Sequence, residues 1–168
     1  MNYCQIYRAD IADGIGVRVS LFVSGCSHRC KGCFNPEAWD ENYGVPYTKE
    51  TEDLIIKELS KPYIKGLSIL GGEPLEYCHI NDLLILVSRI KKELPNKDIW
   101  VYTGSTFEEL KFRSDLCMTL LEMCDVLVDG PFVEEKKDLT LAFRGSSNQR
   151  IIDLKKTFKE DKVVLLDL

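Results

Sequence analysis

Cys26, Cys30 and Cys33 fall within eight residues, Cys26-Ser27-His28-Arg29-Cys30-Lys31-Gly32-Cys33, directly after a strand-like run. The C-x3-C-x2-C spacing supplies three thiols from one short loop. That is one ligand fewer than a closed tetrahedral zinc site or an ordinary four-cysteine iron–sulfur site takes. Three ligands suit a [4Fe–4S] cluster with one iron left open to a small molecule. Zinc completed by His28 or by a remote cysteine is the other chemistry the triplet allows. Phe34, next after the third cysteine, is placed to wall a cluster from water, a shielding that a bare zinc loop has less use for.

A second group of residues follows a short apolar run, as Gly71-Gly72-Glu73-Pro74. Glycines let a ligand approach the main chain, and Gly72 can offer its carbonyl as an acceptor. Glu73 only accepts when ionised, so it suits a ligand ammonium or a structural bond. Alone, such a tetrapeptide is more often a simple turn. Thr103 in Tyr102-Thr103-Gly104, and Asp129 in Asp129-Gly130-Pro131, stand at two further strand-like ends.

These residues need elements to hold them. Val17, Val19, Leu21 and Val23 alternate with polar neighbours, the period of a strand, and Ser24-Gly25 breaks it before the cysteine loop. Thr48 caps an expected helix to about Ser60, and Asn81 another that Pro95 stops. Thr106-Phe107-Glu108-Glu109 is a capping-box pattern. Leu67–Leu70, Ile99–Tyr102, Asp125–Val128 and Lys162–Leu166 read as strands. Strands and helices alternate, which predicts an α/β fold with a mainly parallel sheet and right-handed crossovers. The chain is too short for an eight-unit barrel, so the expectation is a partial, open β/α barrel in one domain over residues 1–168. In such a sheet, chemistry gathers at the carboxyl ends of strands. The cysteine loop, the Gly-Gly-Glu-Pro turn, Thr103-Gly104 and Asp129-Gly130 each follow a strand and are predicted to converge there.

Composition narrows the function classes. Lys+Arg 22 against Asp+Glu 27 gives a net charge of −5 in 168 residues, which argues against nucleic acid as a general partner. No apolar run is long enough to cross a bilayer, and Met1-Asn2-Tyr3-Cys4 lacks a signal-peptide pattern, so a cytoplasmic protein is expected. Seven cysteines, odd in number and partly clustered, point to metal or redox chemistry rather than a disulfide framework. Cys4, Cys78, Cys117 and Cys124 are scattered, mostly among apolar residues, and read as small buried hydrophobes.

Taken together, the C-x3-C-x2-C triplet and the downstream Gly-Gly-Glu-Pro resemble the radical S-adenosylmethionine enzymes. The resemblance implies that Cys26, Cys30 and Cys33 hold three irons of a [4Fe–4S] cluster, with S-adenosyl-L-methionine chelating the fourth through its amino and carboxylate groups. It also implies that Gly71, Gly72 and Glu73 hold the methionine end. Gly32 and Phe34 are expected at the adenine, and Thr103 and Asp129 at the amino or ribose groups. That family often carries an aromatic before its third cysteine; here Gly32 takes that place.

A narrower resemblance covers most of the chain. Asp13-Gly14-Ile15-Gly16-Val17-Arg18, Phe34-Asn35-Pro36-Glu37-Ala38-Trp39, Asp129-Gly130-Pro131-Phe132 and Arg144-Gly145-Ser146-Ser147-Asn148-Gln149-Arg150 are similar to the activating proteins of anaerobic ribonucleoside-triphosphate reductase. Read from composition, the last segment is a polar surface turn. As a resemblance it is the most discriminating. It implies an oxidoreductase that cleaves S-adenosylmethionine reductively and removes a hydrogen from the Cα of one glycine of the reductase large subunit. It also implies reduced flavodoxin or ferredoxin as electron donor, and it leaves a homodimer open. An activator of another glycyl-radical enzyme, such as pyruvate formate-lyase, and a non-catalytic iron–sulfur or zinc module remain the alternatives.

Overall fold

The computed structural model describes residues 1–168. Its strands are β1 (Asn2–Asp10), β2 (Arg18–Ser24), β3 (Val45–Pro46), β4 (Gly66–Gly71), β5 (Asp98–Tyr102), β6 (Val126–Asp129) and β7 (Arg150–Asp153). Its helices are α1 (Lys49–Leu59), α2 (Tyr77–Glu93), α3 (Phe107–Arg113), α4 (Asp115–Glu122) and α5 (Leu154–Glu160).

The strands form one seven-stranded sheet in the order β3-β1-β2-β4-β5-β6-β7. This corrects the expected mainly parallel, barrel-like sheet. Three pairings are parallel, β2–β4, β4–β5 and β5–β6. Three are antiparallel, β1–β2, β1–β3 and β6–β7. The sheet is mixed and open, with antiparallel strands at both edges. The reason is local: the connection at residues 11–17, which returns β1 onto β2, is too short for a helical crossover, while the long loop at 130–149 holds only the 3-10 turn Glu134–Lys136 and returns β7 antiparallel onto β6.

The alternation in β2, β4 and β5 sorts residues between two faces. Val19, Leu21, Val23, Leu67, Ile69, Ile99 and Val101 join a core with residues from all five helices, among them Ile55, Leu83, Leu110, Leu120 and Leu154. Each fully buried side chain of this kind contributes about 1.5–3 kcal/mol. The other face carries Arg18, Ser20, Ser68, Trp100 and Tyr102, and has a smaller cluster of Trp100, Val126, Val128 and Ile151. Arg18 is fully buried there. Its Nε donates to Ser68 Oγ at 2.7 Å, its Nη1 to the Ile15 carbonyl at 3.0 Å, and its Nη2 lies 2.6 Å from Asp98 Oδ1. The Ser68 hydroxyl donates in turn to the Asp13 carbonyl at 2.6 Å. These bonds press the loop between β1 and β2 onto the sheet.

Local signals held at two helices. Thr48 caps α1 and Thr106 caps α3, each in a reciprocal capping box. The second expected cap moves: α2 begins at Tyr77 after Glu76, a turn before Asn81. The expected strand at Lys162–Leu166 reduces to a single bridge between Leu165 and Ile152. No helix is long and apolar enough to cross a membrane.

Candidate functional site

The ends of the four parallel strands open on one cavity of about 380 Å³. Cys26, Cys30 and Cys33 line it after β2, Gly71 and Gly72 after β4, Thr103 and Gly104 after β5, and Gly130 and Phe132 after β6. Its size falls within the range of small-molecule sites.

Each wall is held by bonds that the sequence supplies locally. The cysteine loop closes on the short 3-10 turn Pro36–Trp39, through Gly25 N–H to the Ala38 carbonyl at 2.7 Å and Cys26 N–H to the Trp39 carbonyl at 3.2 Å. Ser27 donates from its amide and its hydroxyl to Glu76 Oε1, at 2.8 and 2.5 Å. Gly71 must lack a side chain. Its φ is +109°, and a Cβ there would stand 2.6 Å from the Val23 amide nitrogen. The turn is therefore pressed against the base of the cysteine loop, with Gly72 N–H bonded to the Val23 carbonyl at 2.7 Å and Glu73 N–H to the Gly25 carbonyl at 2.8 Å.

Glu73 is fully buried, and both its oxygens are engaged within the protein. Oε1 accepts from Thr103 Oγ1 at 2.8 Å and Gly104 N–H at 2.7 Å, and lies 2.6 Å from His28 Nε2. Oε2 accepts from Leu75 N–H at 2.9 Å. One carboxylate thus ties together loops from β2, β4 and β5. Burial works against its charge, but the bonds from His28, Leu75 and Gly104 prevail and hold it below the ordinary carboxylate range. The same bond to Glu73 raises His28. The His28 ring is packed so closely on Gly104 that a Cβ there would meet it at 2.7 Å. His28 therefore spends Nε2 on Glu73, where the zinc alternative would have it bind metal.

His79, fully buried behind the same turn, has Nδ1 2.7 Å from the Glu73 carbonyl and Nε2 2.6 Å from the Ser24 carbonyl. It fastens the cysteine strand to the Gly-Gly-Glu-Pro turn a second time.

Of the residues singled out by sequence, Cys26, Cys30, Cys33, Phe34, Gly71, Gly72 and Thr103 line the cavity. Gly32, Glu73 and Asp129 do not. Gly32 abuts the Glu134 side chain, within 3.0 Å of an added Cβ. Asp129 is 1% exposed and accepts from Phe107 N–H at 2.8 Å and from Arg150 Nε and Nη2 at 3.0 and 2.5 Å. Phe34 is 67% exposed and packs its ring 5.2 Å from Phe132 across the mouth. Cys117 and Cys124 are buried as expected, while Cys4 is half-buried and Cys78 is exposed.

The structure adds Asp13, Trp39, Tyr102, Arg144 and Gln149 to the walls. For Asp13, Trp39, Arg144 and Gln149 the signal in the sequence lay in the segments Asp13–Arg18, Phe34–Trp39 and Arg144–Arg150, which carried resemblance but no assigned role, while Tyr102 stood beside Thr103 at a strand end. The last of these segments is a self-bonded loop: Gln149 Oε1 accepts from Gly145 and Ser146 N–H at 2.9 and 3.1 Å, and Gln149 Nε2 donates to the Gly130 carbonyl at 3.1 Å.

The donor set fits an iron–sulfur centre with an organic ligand beside it. Three soft thiols face one cavity, but no three metal-binding side chains gather about a single point as one ion would require. A cluster spreads its ligands over separate irons. Burial pushes the Cys26 thiol up to about 11, with the Glu73 charge adding to it, so iron must displace a proton there. Trp39 Nε1, Tyr102 Oη and Arg144 Nε, all on cavity-lining residues, are buried without partners. Three unspent polar atoms around one space call for a ligand rich in acceptors.

Comparison with known proteins agrees with this chemistry. Residues 12–152 match the family described as a 4Fe-4S single cluster domain. The anaerobic ribonucleoside-triphosphate reductase-activating protein of Escherichia coli K12 is 48% identical over 157 residues, covering 92% of this chain and 100% of that protein. Its namesake in Vibrio cholerae is 48% identical over 153 residues, 90% of this chain and 97% of that protein. The namesake in bacteriophage T4 is 40% identical over 151 residues, 90% of this chain and 93% of that protein.

Proposed function

The chain belongs to the family of anaerobic ribonucleoside-triphosphate reductase-activating proteins, and from that premise we propose that residues 1–168 work as one radical S-adenosylmethionine activase. Its target is the large subunit of the anaerobic reductase, on which it generates a glycyl radical. The observation that carries this reading is the single cavity where Cys26, Cys30 and Cys33 meet the Gly71-Gly72 turn. A reduced [4Fe–4S] cluster held by these cysteines, with S-adenosylmethionine beside it, would supply one electron and the hydrogen-abstracting power that follows from it.

The chain's own residues bind and orient. Cys26, Cys30 and Cys33 hold the cluster. Gly71 and Gly72 bring main-chain groups to the methionine end, and Thr103 lines the wall beside them. Glu73 acts one layer behind them, fixing the three loops whose separation sets the width of the cleft. Asp129 holds β6 to the first turn of α3 in the same indirect way. Phe34 and Phe132 pack together at the mouth and leave it partly open. No general base is required, because a hydrogen atom is taken rather than a proton. Reduced flavodoxin or ferredoxin is the class of electron donor the reaction needs.

The test is anaerobic. The reconstituted protein, S-adenosylmethionine and a reductant are mixed with the reductase, and the glycyl radical is followed by electron paramagnetic resonance. The radical is expected with this reductase, absent with pyruvate formate-lyase, and absent from Cys30→Ala, which should also lose most of its iron and sulfide. A full complement of iron in Cys30→Ala, or radical formation on the formate-lyase alone, would reject the assignment.

A further inference from the structure

Arg144 is the only fixed cation among the residues that line the cavity. The other ionisable groups there are the three thiols, Asp13, Tyr102 and His28, and His28 is already spent on Glu73. Arg18, Arg89 and Arg150 each meet carboxylates of the protein. Arg144 meets none; its bond within the fold runs from Nη1 to the Gln149 carbonyl, at 2.7 Å. A guanidinium has five N–H donors, and the Arg144 Nε is buried without an acceptor. A half-buried cation left in that state is costly unless a ligand completes it.

The loop around it is built to keep it there. Gln149 takes the Gly145 and Ser146 amides on its side-chain oxygen while its own carbonyl receives Arg144. Phe143, at φ +60°, packs its ring 5.4 Å from Trp100 and anchors the chain just before Arg144. On the other side Gly145 lies against the Phe132 and Phe34 rings, with Phe34 joined to Cys33. Arg144 is thereby fixed on the bank of the cavity that faces the end of the cysteine loop.

We infer that Arg144 is the residue of this chain that binds the carboxylate of the S-adenosylmethionine methionine moiety. This deepens the proposed function and rests on it. The sulfonium and ammonium of that ligand are repelled by a guanidinium, and its nucleoside is neutral. The carboxylate is its one anionic group, and it must lie close to thiolate-bound iron, where a counter-cation is most needed. Arginine's planar fork matches a carboxylate with two parallel bonds.

The experiment uses the anaerobically reconstituted protein and two probes, S-adenosylmethionine and its decarboxylated form, which keeps the sulfonium and amine. Binding is measured by calorimetry without reductant, so no turnover enters. In Arg144→Gln the affinity for S-adenosylmethionine should fall about ten- to hundredfold, the scale of a partly desolvated charge-assisted bond. Affinity for the decarboxylated probe should stay within about threefold. Arg144→Lys, which keeps the charge without the fork, should lie between and guards against misfolding of the glutamine variant. Lys137→Gln, at an exposed lysine 5.0 Å over the Phe34 ring, should change neither affinity. Equal losses for both probes, no loss for either, or an equal effect of Lys137→Gln would overturn the inference. Failure of the unaltered protein to bind S-adenosylmethionine would overturn the cofactor reading itself, and the inference with it.

Discussion

Both Glu73 oxygens are committed inside the protein, so removing the carboxylate strands several donors at once. Thr103, Gly104 and Leu75 would each lose an acceptor, and His28 its partner. Glu73→Ala should therefore cost about 3 kcal/mol, the range for breaking a buried charged pair from one side. Glu73→Gln, which keeps the shape, should cost less. Urea unfolding of the metal-free protein reads both, and a loss under about 1 kcal/mol for the alanine variant would contradict the hub role. Asp13 gives a pH signature. Burial and the neighbouring Asp10 carboxyl raise Asp13 from 3.8 to about 7. Burial works against Asp10, yet bonds from Asp13, Ser20 and Ala12 hold it low. Between those two values the folded pair keeps a proton that the unfolded chain has released. More protons are then bound folded than unfolded, so stability falls as pH rises through that window. Asp13→Asn should flatten this slope and raise the melting temperature at pH 8 relative to the unaltered protein. An unchanged slope would count against the shared proton.

At the scale of elements, the sheet's second edge is pinned by charge. Arg150 at the start of β7 meets Asp129 at the end of β6 and Glu108 in the first turn of α3. Asp129→Asn should lower stability by about 2 kcal/mol, or about 4–8 °C in melting temperature, because the half-buried Arg150 guanidinium then keeps only the exposed Glu108 as charge partner. Thr106→Ala should cost only about 1 kcal/mol by loss of the α3 cap. Thermal melts rank the two, and the reverse order would overturn this account of the edge. That edge was not readable from sequence. Arg150–Asp153 is four residues long and follows a polar loop, so the period-two signal had no length in which to appear. β1 was missed for a related reason: its residues are half-buried or exposed on a sheet edge, and Gln5, Arg8 and Asp10 interrupt its apolar pattern. The central strands and the caps at Thr48 and Thr106 were readable because burial on one face and backbone capping leave strict local spacings. The same division holds in the site. The cysteine triplet and the glycine turn announce themselves by spacing, while Trp39, Tyr102 and Arg144 reach the cavity only through packing that links distant segments.

The whole molecule leaves the mouth of its cavity thinly covered. Phe34 and Leu139 stand 67% and 86% exposed, the first at the mouth and the second in the same loop as Arg144. A reaction that must exclude water and oxygen is poorly served by such an opening. Under the proposed function, the anaerobic reductase is the partner that covers it. Hydrogen exchange on the anaerobic holo-protein tests this at the right scale. Adding the reductase should slow the amides of residues 26–36 and 131–145, the two banks of the mouth. It should leave the exposed face of α2, around Ile85, unchanged. Those amides sit on loops with few buried contacts, so their exchange in the free protein is governed by local opening and responds directly to a bound partner. Equal exchange with and without the reductase, at concentrations where the glycyl radical forms, would mean that the mouth is closed by the chain itself and that the partner presents its glycine elsewhere.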